Sequence, residues 1–148
     1  MSFFRLGYAQ HLHYGVLLDL AKIVRTRKKL SFPSNYVCLV SQRDANEVAI
    51  RSLGRASSPP WVVNCCGPMV RLDGIAREMA RQMGRKVDVS VSRSRIARVQ
   101  SDRRAVSAFG AYRDPPEEMI RAAVDWVLRG GRDWNKPTGF LRDPKTSY

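Results

Sequence analysis

The sequence predicts an α/β fold in which short strands alternate with helices. Two observations support this prediction. Short runs of apolar, β-branched and aromatic residues, at 36–40 and 61–66, are typical of buried strands. Between such runs, apolar residues recur at the three- and four-residue spacing of amphipathic helices. Because the two element types alternate along the chain, we expect some of the strands to pair in parallel.

The first part of the chain is predicted to contain two strands and two helices. In order, these are a strand at 3–9, a helix at 14–26, a strand at 36–40 and a helix at 44–53. The segment 31–35 contains Pro33 and Ser34, which favour a loop. Asp44 lies at the start of the second helix, where a carboxylate is a good cap. Gly54 then ends that helix.

The second part begins with a strand at 61–66, which the Gly67-Pro68 turn closes. A helix at 72–83, a strand at 87–91 with alternating valines and a short helix at 101–109 follow. The last helix has the clearest signals, with Asp114 expected at its N-cap, Pro115 in its first position and Gly130-Gly131 at its end. Residues 1–131 are therefore predicted to form one α/β lobe. Residues 132–148 form an irregular C-terminal tail, which Trp134 and Phe140 are expected to anchor.

The strong positive charge of the chain is compatible with binding to phosphates or nucleic acid. Lys and Arg number 26 against 13 Asp and Glu, which gives a net charge of +13. Such a field attracts phosphates and nucleic acids without sequence preference. Arginines are dense at 93–104, namely Arg93, Arg95, Arg98, Arg103 and Arg104. That segment lacks the aromatic residues on which single-stranded nucleic acids stack. A basic, Arg-rich, non-enzymatic module that binds nucleic acid or another partner is the alternative hypothesis.

Cysteine usage and hydropathy indicate a cytoplasmic protein. The three cysteines, Cys38, Cys65 and Cys66, are an odd number without a paired spacing, which favours a reducing compartment. No apolar stretch approaches the roughly 20 residues of a membrane span, and no signal peptide is apparent. We therefore expect no membrane association.

Motifs for cofactor binding and catalysis are absent from the sequence. No Gly-x-Gly-x-x-Gly turn follows a predicted strand, and no tyrosine is followed four positions later by a lysine. His11 and His13 lack an evident carboxylate or thiolate partner for a metal ion. The sequence thus predicts no catalytic residue, no cofactor-binding residue and no metal site.

Several segments, in chain order, resemble the C-terminal portion of NAD(P)-dependent epimerase/dehydratase proteins, the extended short-chain dehydrogenases. Arg-Leu-Gly-Tyr-Ala at 5–9 is similar to the strand that follows their catalytic helix. The helix at 14–24 and the strand-to-helix junction at 44–49 match the next elements. The strand end at 62–68, with an Asn, two small residues and Gly-Pro, and the helix start at 71–76 follow in the same order. Finally, Ser101-Asp102 with Phe109-Gly110 resembles the segment before the C-terminal helix.

The resemblance implies the substrate-side part of a Rossmann-type enzyme, with the nucleotide-binding half missing from this chain. NAD or NADP would belong to the complete enzyme, and this chain alone is expected to bind no cofactor and to lack activity. The implied partners are a separate nucleotide-binding half or a second copy of the chain. The implied substrate is a small molecule such as a sugar derivative or another alcohol. Gly7 stands where many members carry a polar Asn, so that contact is not expected here.

Three residues are candidates for the substrate pocket. Tyr8 lies at the end of the first strand, where it can line a cleft. Arg43 has paired guanidinium donors that suit a carboxylate or phosphate. Asn64 ends a strand, at the edge where ligands approach open α/β sheets. Each also has a structural alternative: a core aromatic for Tyr8, a surface charge for Arg43 and a turn residue for Asn64.

Overall fold

Twelve elements make up the chain in the computed structural model, which describes residues 1–32, 34–91, 99–136 and 138–140. In chain order they are β1 (Ser2–Leu6), β2 (Tyr8–Gln10), α1 (Val16–Thr26), β3 (Lys29–Phe32), β4 (Tyr36–Ser41), α2 (Gln42–Leu53), β5 (Trp61–Cys65), β6 (Met69–Arg71), α3 (Leu72–Gln82), β7 (Asp88–Val91), α4 (Arg103–Phe109) and α5 (Pro116–Leu128). The predicted α/β class, with short strands alternating with helices, is confirmed.

The predicted strand at 3–9 is interrupted at Gly7, and its two parts pair with different neighbours. β1 pairs in parallel with β5, whereas β2 pairs in parallel with β4. A Cβ atom added at Gly7 would lie 2.8 Å from the Cβ of Cys66. The backbone at this position therefore approaches the end of β5 more closely than a side chain permits.

Two strands were missed by the sequence prediction. β3 pairs in parallel with β7, so the predicted loop at 31–35 is wrong for Ser31 and Phe32. Leu30 and Phe32 are both buried, a period-2 pattern that the adjacent lysines and Pro33 obscured. β6 pairs antiparallel with β4 over only three residues, too few for an alternation to be visible in the sequence.

Three amphipathic helices, α1, α3 and α5, surround the larger of two hydrophobic cores. The stripes predicted for them are largely buried, including Leu20 and Val24 of α1, Met79 of α3 and Val124 of α5. The smaller core lies between α2, α4 and the β1–β5 pair. Its buried members are Val40, Ala45, Val48, Val63, Cys65 and Ala105.

Two predicted helix caps are wrong. α2 is capped by Ser41, whose hydroxyl accepts a hydrogen bond from the backbone N–H of Asp44 at 3.0 Å. Asp44 lies inside the first turn instead, where its carboxylate accepts hydrogen bonds from the backbone N–H groups of Arg113 and Asp114. α5 begins one residue later than predicted, with Pro115 at the cap and Pro116 in the first turn, and the Asp114 side chain makes no cap hydrogen bond.

The predicted end of the last helix at Gly130-Gly131 is confirmed. Gly130 has a positive φ of 70°, and the N–H of Gly131 donates to the carbonyl of Trp126 at 2.8 Å. The N–H of Gly130 donates to Val127. This pair of hydrogen bonds is a Schellman motif, in which glycine takes the left-handed position.

The described part of 132–140 packs back against the lobe without forming a helix or a strand. The backbone N–H of Trp134 donates to the carbonyl of His13 at 3.0 Å, and Asp133 forms an ion pair with Lys22. Thr138 donates both its N–H and its hydroxyl to Asp19. The division into a lobe at 1–131 and a tail at 132–148 stays a prediction.

Gly67 is the position where we expect a substitution to be least tolerated. It has a φ of +74°, and an added Cβ would lie 1.8 Å from the carbonyl oxygen of Leu39. Gly67→Ala should lower the free energy of unfolding by about 3 kcal/mol or more, measured by urea denaturation.

Gly54→Ala is the matched control, because Gly54 has a φ of −71° and its added Cβ would lie 3.7 Å from the carbonyl oxygen of Arg51. We expect its unfolding free energy to stay within about 0.5 kcal/mol of that of the original chain. Equal stability of the two variants would contradict the close approach at Gly67.

Candidate functional site

Two adjoining clefts open where β2 and β4 end and α2 begins. The Tyr8 cleft has a volume of about 310 Å³ and is lined by Leu6, Gly7, Tyr8, Ala9, Gln10, Tyr14, Gly15, Val16, Gln42, Trp134 and Thr138. The Arg43 cleft has a volume of about 540 Å³ and is lined by Gln10, His11, Leu12, Leu17, Ser41, Gln42, Arg43, Asp114, Glu118, Met119, Arg121, Ala122, Ala123 and Asp125. Gln10 and Gln42 line both, so the two clefts share a wall.

Tyr8 forms part of the wall of the first cleft at the point where the strand is interrupted. It is half-buried, and its ring packs edge-on against Phe140 with the ring centroids 5.0 Å apart. Its hydroxyl makes no hydrogen bond with another described residue. The ring of Tyr8 therefore packs on Phe140, while its hydroxyl has no hydrogen-bond partner among the described residues.

Gln10 organises the shared wall and was not identified from the sequence. It is only 7% exposed, and its Oε1 accepts a hydrogen bond from the N–H of Leu17 at 3.0 Å. Its Nε2 donates to the carbonyl of Tyr8 at 2.8 Å. Gly15, at the N-cap of α1, has no side chain to cap the helix, so Gln10 satisfies one of its free N–H groups.

Arg43 lies in the first turn of α2 at the mouth of the second cleft. Its side chain is 62% exposed and forms an ion pair with Asp114. An ion pair at such an exposed site contributes only about 0–1 kcal/mol. An anionic group of a ligand can therefore compete with Asp114 for this guanidinium.

Asp44 holds the opposite wall of the Arg43 cleft in place. The side chain is buried, and its carboxylate accepts hydrogen bonds from the backbone N–H groups of Arg113, at 3.1 Å, and Asp114, at 3.0 Å. Glu47, one turn further along α2, forms an ion pair with Arg113. The segment before α5 is thereby attached to α2, and this attachment sets the position of Asp114 opposite Arg43.

Asn64 does not line either cleft. It lies in β5, where its register partner on β1 is Arg5, and its Nδ2 donates to the carbonyl of Ser101 at 2.9 Å. The structure therefore brings Tyr8 and Arg43 to adjoining clefts and leaves Asn64 apart, joined to the segment that precedes α4. Whether any of the three contacts a substrate stays a prediction.

The three thiols are unsuited to nucleophilic chemistry. All are buried, and the Sγ atoms of Cys38 and Cys66 both lie within hydrogen-bonding distance of the carbonyl of Gln100, at 3.6 and 3.3 Å. Burial raises the pKa of the Cys66 thiol to about 12. Burial likewise raises the pKa of Cys65, although the hydrogen bond from Tyr112 opposes the effect. Cys65 and Cys66 are therefore neutral core groups, and Cys38 is buried with them.

The histidines belong to an aromatic cluster. The rings of His11 and His13 lie 5.0 Å apart, and both stack on Trp134. The Nδ1 atom of His13 lies 2.8 Å from the carbonyl oxygen of Arg132. In the part of the chain that the structure describes, no group of three or more His, Cys, Asp or Glu residues could hold a metal ion. The cluster attaches the tail to the turn before α1.

Comparison with known proteins relates this geometry to a family of folds. No family model matches the chain, and no curated protein sequence matches it significantly. Among solved structures, the WbmG enzyme of Bordetella bronchiseptica in complex with NAD and UDP aligns with a TM-score of 0.69 at 16% identity, over 91% of this chain and 46% of that one.

Two further structures give the same result. RMD from Pseudomonas aeruginosa, complexed with NADPH, aligns with a TM-score of 0.60 at 18% identity, over 85% of this chain and 46% of that chain. UDP-glucose-4-epimerase from Stenotrophomonas maltophila, with bound NAD and formylated UDP-arabinopyranose, aligns with a TM-score of 0.59 at 12% identity, over 86% and 48%.

These likenesses define the class of fold. The chain has the α/β fold of NAD-dependent epimerase/dehydratase enzymes, the extended short-chain dehydrogenases, and the predicted resemblance is confirmed at the level of fold. The chain spans about 46% of the length of the first structures that it matches. No helix in the described ranges is long and apolar enough to cross a bilayer.

The thiols allow a direct test of this site geometry. All three cysteines are buried, and burial raises the pKa of Cys65 and Cys66, so little of the reactive thiolate is present near neutral pH. We expect the folded chain to react with a disulfide reagent such as Ellman's reagent at none of its three cysteines within minutes, and at all three in concentrated guanidinium chloride. Rapid reaction of the folded chain would contradict the buried positions.

Proposed function

We propose that this chain is the substrate-side part of an NAD(P)-dependent epimerase, dehydratase or reductase and that it is not catalytic alone. The observation that carries the proposal is the fold likeness to enzymes whose structures contain NAD, NADPH or UDP. Because the chain spans about 46% of those enzymes, the proposed activity requires a further nucleotide-binding part.

The proposed substrate is a small hydroxyl-bearing molecule such as a sugar derivative, and its site is the pair of adjoining clefts. A combined lining of amide, hydroxyl and charged side chains suits a polyol because each hydroxyl can both donate and accept a hydrogen bond. Gln42 reaches both clefts, so one substrate can contact both. Arg43 is proposed to bind an anionic group of the substrate, and Tyr8 to line the sugar end.

Asn64 has a different place in the proposal. Its amide is already bonded to the Ser101 carbonyl. We propose that it positions the segment before α4 relative to β5 rather than reaching the two clefts.

Two absences from the sequence support the proposed lack of independent activity. The sequence contains no Gly-rich dinucleotide turn and no tyrosine with a lysine four positions later. All three thiols are buried, and burial raises the pKa of Cys65 and Cys66. NAD or NADP, bound by the other part, would supply hydride transfer, while this chain would orient the substrate hydroxyl and exclude water around it.

The outer edge of β1 is suited to pairing with a separate nucleotide-binding part. Among the described strands, β1 pairs only with β5, so its other edge presents unpaired backbone groups. Phe3 and Leu6 on this strand are 49% and 51% exposed. We propose that a strand of a separate nucleotide-binding part adds to this edge, with a second copy of the chain as the alternative partner. A cytoplasmic location is part of this proposal.

Cofactor binding distinguishes a substrate-side part from a complete enzyme. Because the chain lacks a dinucleotide turn, titration of the isolated protein with NADH or NADPH, followed by nucleotide fluorescence, should show no binding at micromolar concentration. Micromolar binding of either nucleotide by the isolated chain would overturn the proposal.

The Arg43 cleft is tested by titration with UDP-glucose in ligand-observed NMR. Arg43→Ala should weaken binding by about tenfold or more, because a hydrogen bond between charged groups is lost. Arg81→Ala is the control, since Arg81 is similarly exposed and ion-paired, to Glu78 of α3, but lies outside both clefts. Equal losses in the two variants would contradict a site at Arg43.

A further inference from the structure

A third cleft lies at the other end of α2, away from the proposed substrate site. The Trp61 cleft has a volume of about 600 Å³ and is lined by Arg55, Trp61, Ser101, Arg103, Arg104, Ser107 and Ala108. Arg55 follows the end of α2, whereas Gln42 and Arg43 form its beginning. The 12 residues of α2 span about 18 Å, so the two sites face different parts of the surface.

The cleft has a strong positive charge without a counter-charge. Its lining contains three arginines and no acidic residue. Arg104 is held by a hydrogen bond from its guanidinium to the carbonyl of Val62 at 2.8 Å. Within the described ranges, the side chains of Arg55 and Arg103 have neither an ion pair nor a hydrogen bond. The nearby Asp102 interacts with Tyr112 and does not line this cleft.

An aromatic side chain stands among these arginines. Trp61 is half-buried, and its ring meets that of Phe109 edge-on, with the centroids 5.7 Å apart. The contact with Phe109 fixes the indole in place while part of it lines the cleft. Two Ser residues, Ser101 and Ser107, add hydroxyl groups to the wall. A fixed indole beside guanidinium groups is the combination that binds a base together with its phosphates.

We propose that the Trp61 cleft binds single-stranded nucleic acid, with the arginines on consecutive phosphates and a base against Trp61. The net charge of +13 favours a polyanion over a single phosphate group, because its field acts along the whole strand. The Arg-rich sequence near Arg103 lacks aromatic residues, and the fold supplies one from β5. This site is separate from the proposed substrate clefts and does not depend on them.

The test is fluorescence anisotropy of the full chain with a labelled oligouridylate of about 12 nucleotides. Binding should weaken as KCl rises from about 50 to 200 mM. The double variant Arg55→Gln/Arg103→Gln should bind about tenfold more weakly at low salt. The slope of log affinity against log salt should fall by about 1.4, the value for two lost phosphate contacts on a single strand.

A matched variant separates a site from a general charge effect. Lys28→Gln/Lys86→Gln removes the same charge from two exposed lysines that precede β3 and β7. We expect it to weaken binding by less than about threefold, because it changes only the long-range field. Equal effects of the two double variants, or no binding of the original chain at low salt, would overturn the proposal.

The role of the indole is tested by Trp61→Phe and Trp61→Leu. Phenylalanine keeps a stacking surface and should retain most of the affinity, whereas leucine should weaken binding about five- to hundredfold. Circular dichroism establishes whether each variant is folded, and the arginine variants test the site even if Trp61→Leu unfolds. Competition with UMP and with inorganic phosphate should fail at concentrations where the oligonucleotide is bound. Displacement by either would show a mononucleotide or phosphate site and would refute strand binding.

Discussion

The arrangement of this chain depends on two close backbone approaches between neighbouring strands, each at a glycine. Gly7 lies against Cys66 at the end of β5, and Gly67 lies against the carbonyl of Leu39 in β4. A Cβ atom at either glycine would displace one strand from the next. In this region the segment at 2–10 changes its pairing partner, because β1 pairs with β5 and β2 pairs with β4. The Tyr8 cleft opens directly beside it, because the interruption leaves space next to the strand.

A second set of contacts, made by Gln10 and Asp44, holds the elements that form the walls of the two clefts. Gln10 is the last residue of β2, and its side chain accepts a hydrogen bond from an N–H group in the first turn of α1. This contact fixes the strand relative to the helix. Asp44 lies in the first turn of α2, directly after β4, and its carboxylate accepts two hydrogen bonds from the backbone before α5. Both side chains are buried polar groups whose hydrogen-bonding capacity is used, which gives one defined geometry rather than several. The walls of the clefts are thus joined to one another by hydrogen bonds between buried groups.

The two ends of α2 present different chemistry. At its beginning, the clefts contain acids and bases together, with Arg43 already opposite Asp114. At its end, the only charged residues that line the Trp61 cleft are arginines. Mixed polarity suits a small polyhydroxyl molecule, whereas charge of one sign with an aromatic ring suits a phosphate-bearing strand. The Trp61 cleft therefore carries an excess of positive charge at a distance from the proposed substrate site.

The α/β class, the amphipathic helices and the end of the last helix at Gly130-Gly131 were predictable from the sequence, because each depends on short-range periodicity or on local glycine geometry. The sequence also indicated the likeness in fold to the epimerase/dehydratase enzymes, through the order of its strand ends. It did not reveal β3 and β6, since an alternation over three or four residues is too short to stand out beside lysines or a turn.

The contacts between polar residues could not be predicted from the sequence, because they form between distant parts of the chain. Asp44 and Asp114 both had the local signature of a helix cap, yet Ser41 caps α2, and the Asp44 carboxylate binds backbone about 70 residues further along the chain. Tyr8 and Arg43 were placed in adjoining clefts, Asn64 elsewhere, and Trp61 among arginines from other elements. The physical reason is that capping and periodicity are properties of neighbouring residues, whereas a cleft is formed by groups that only long-range packing brings together.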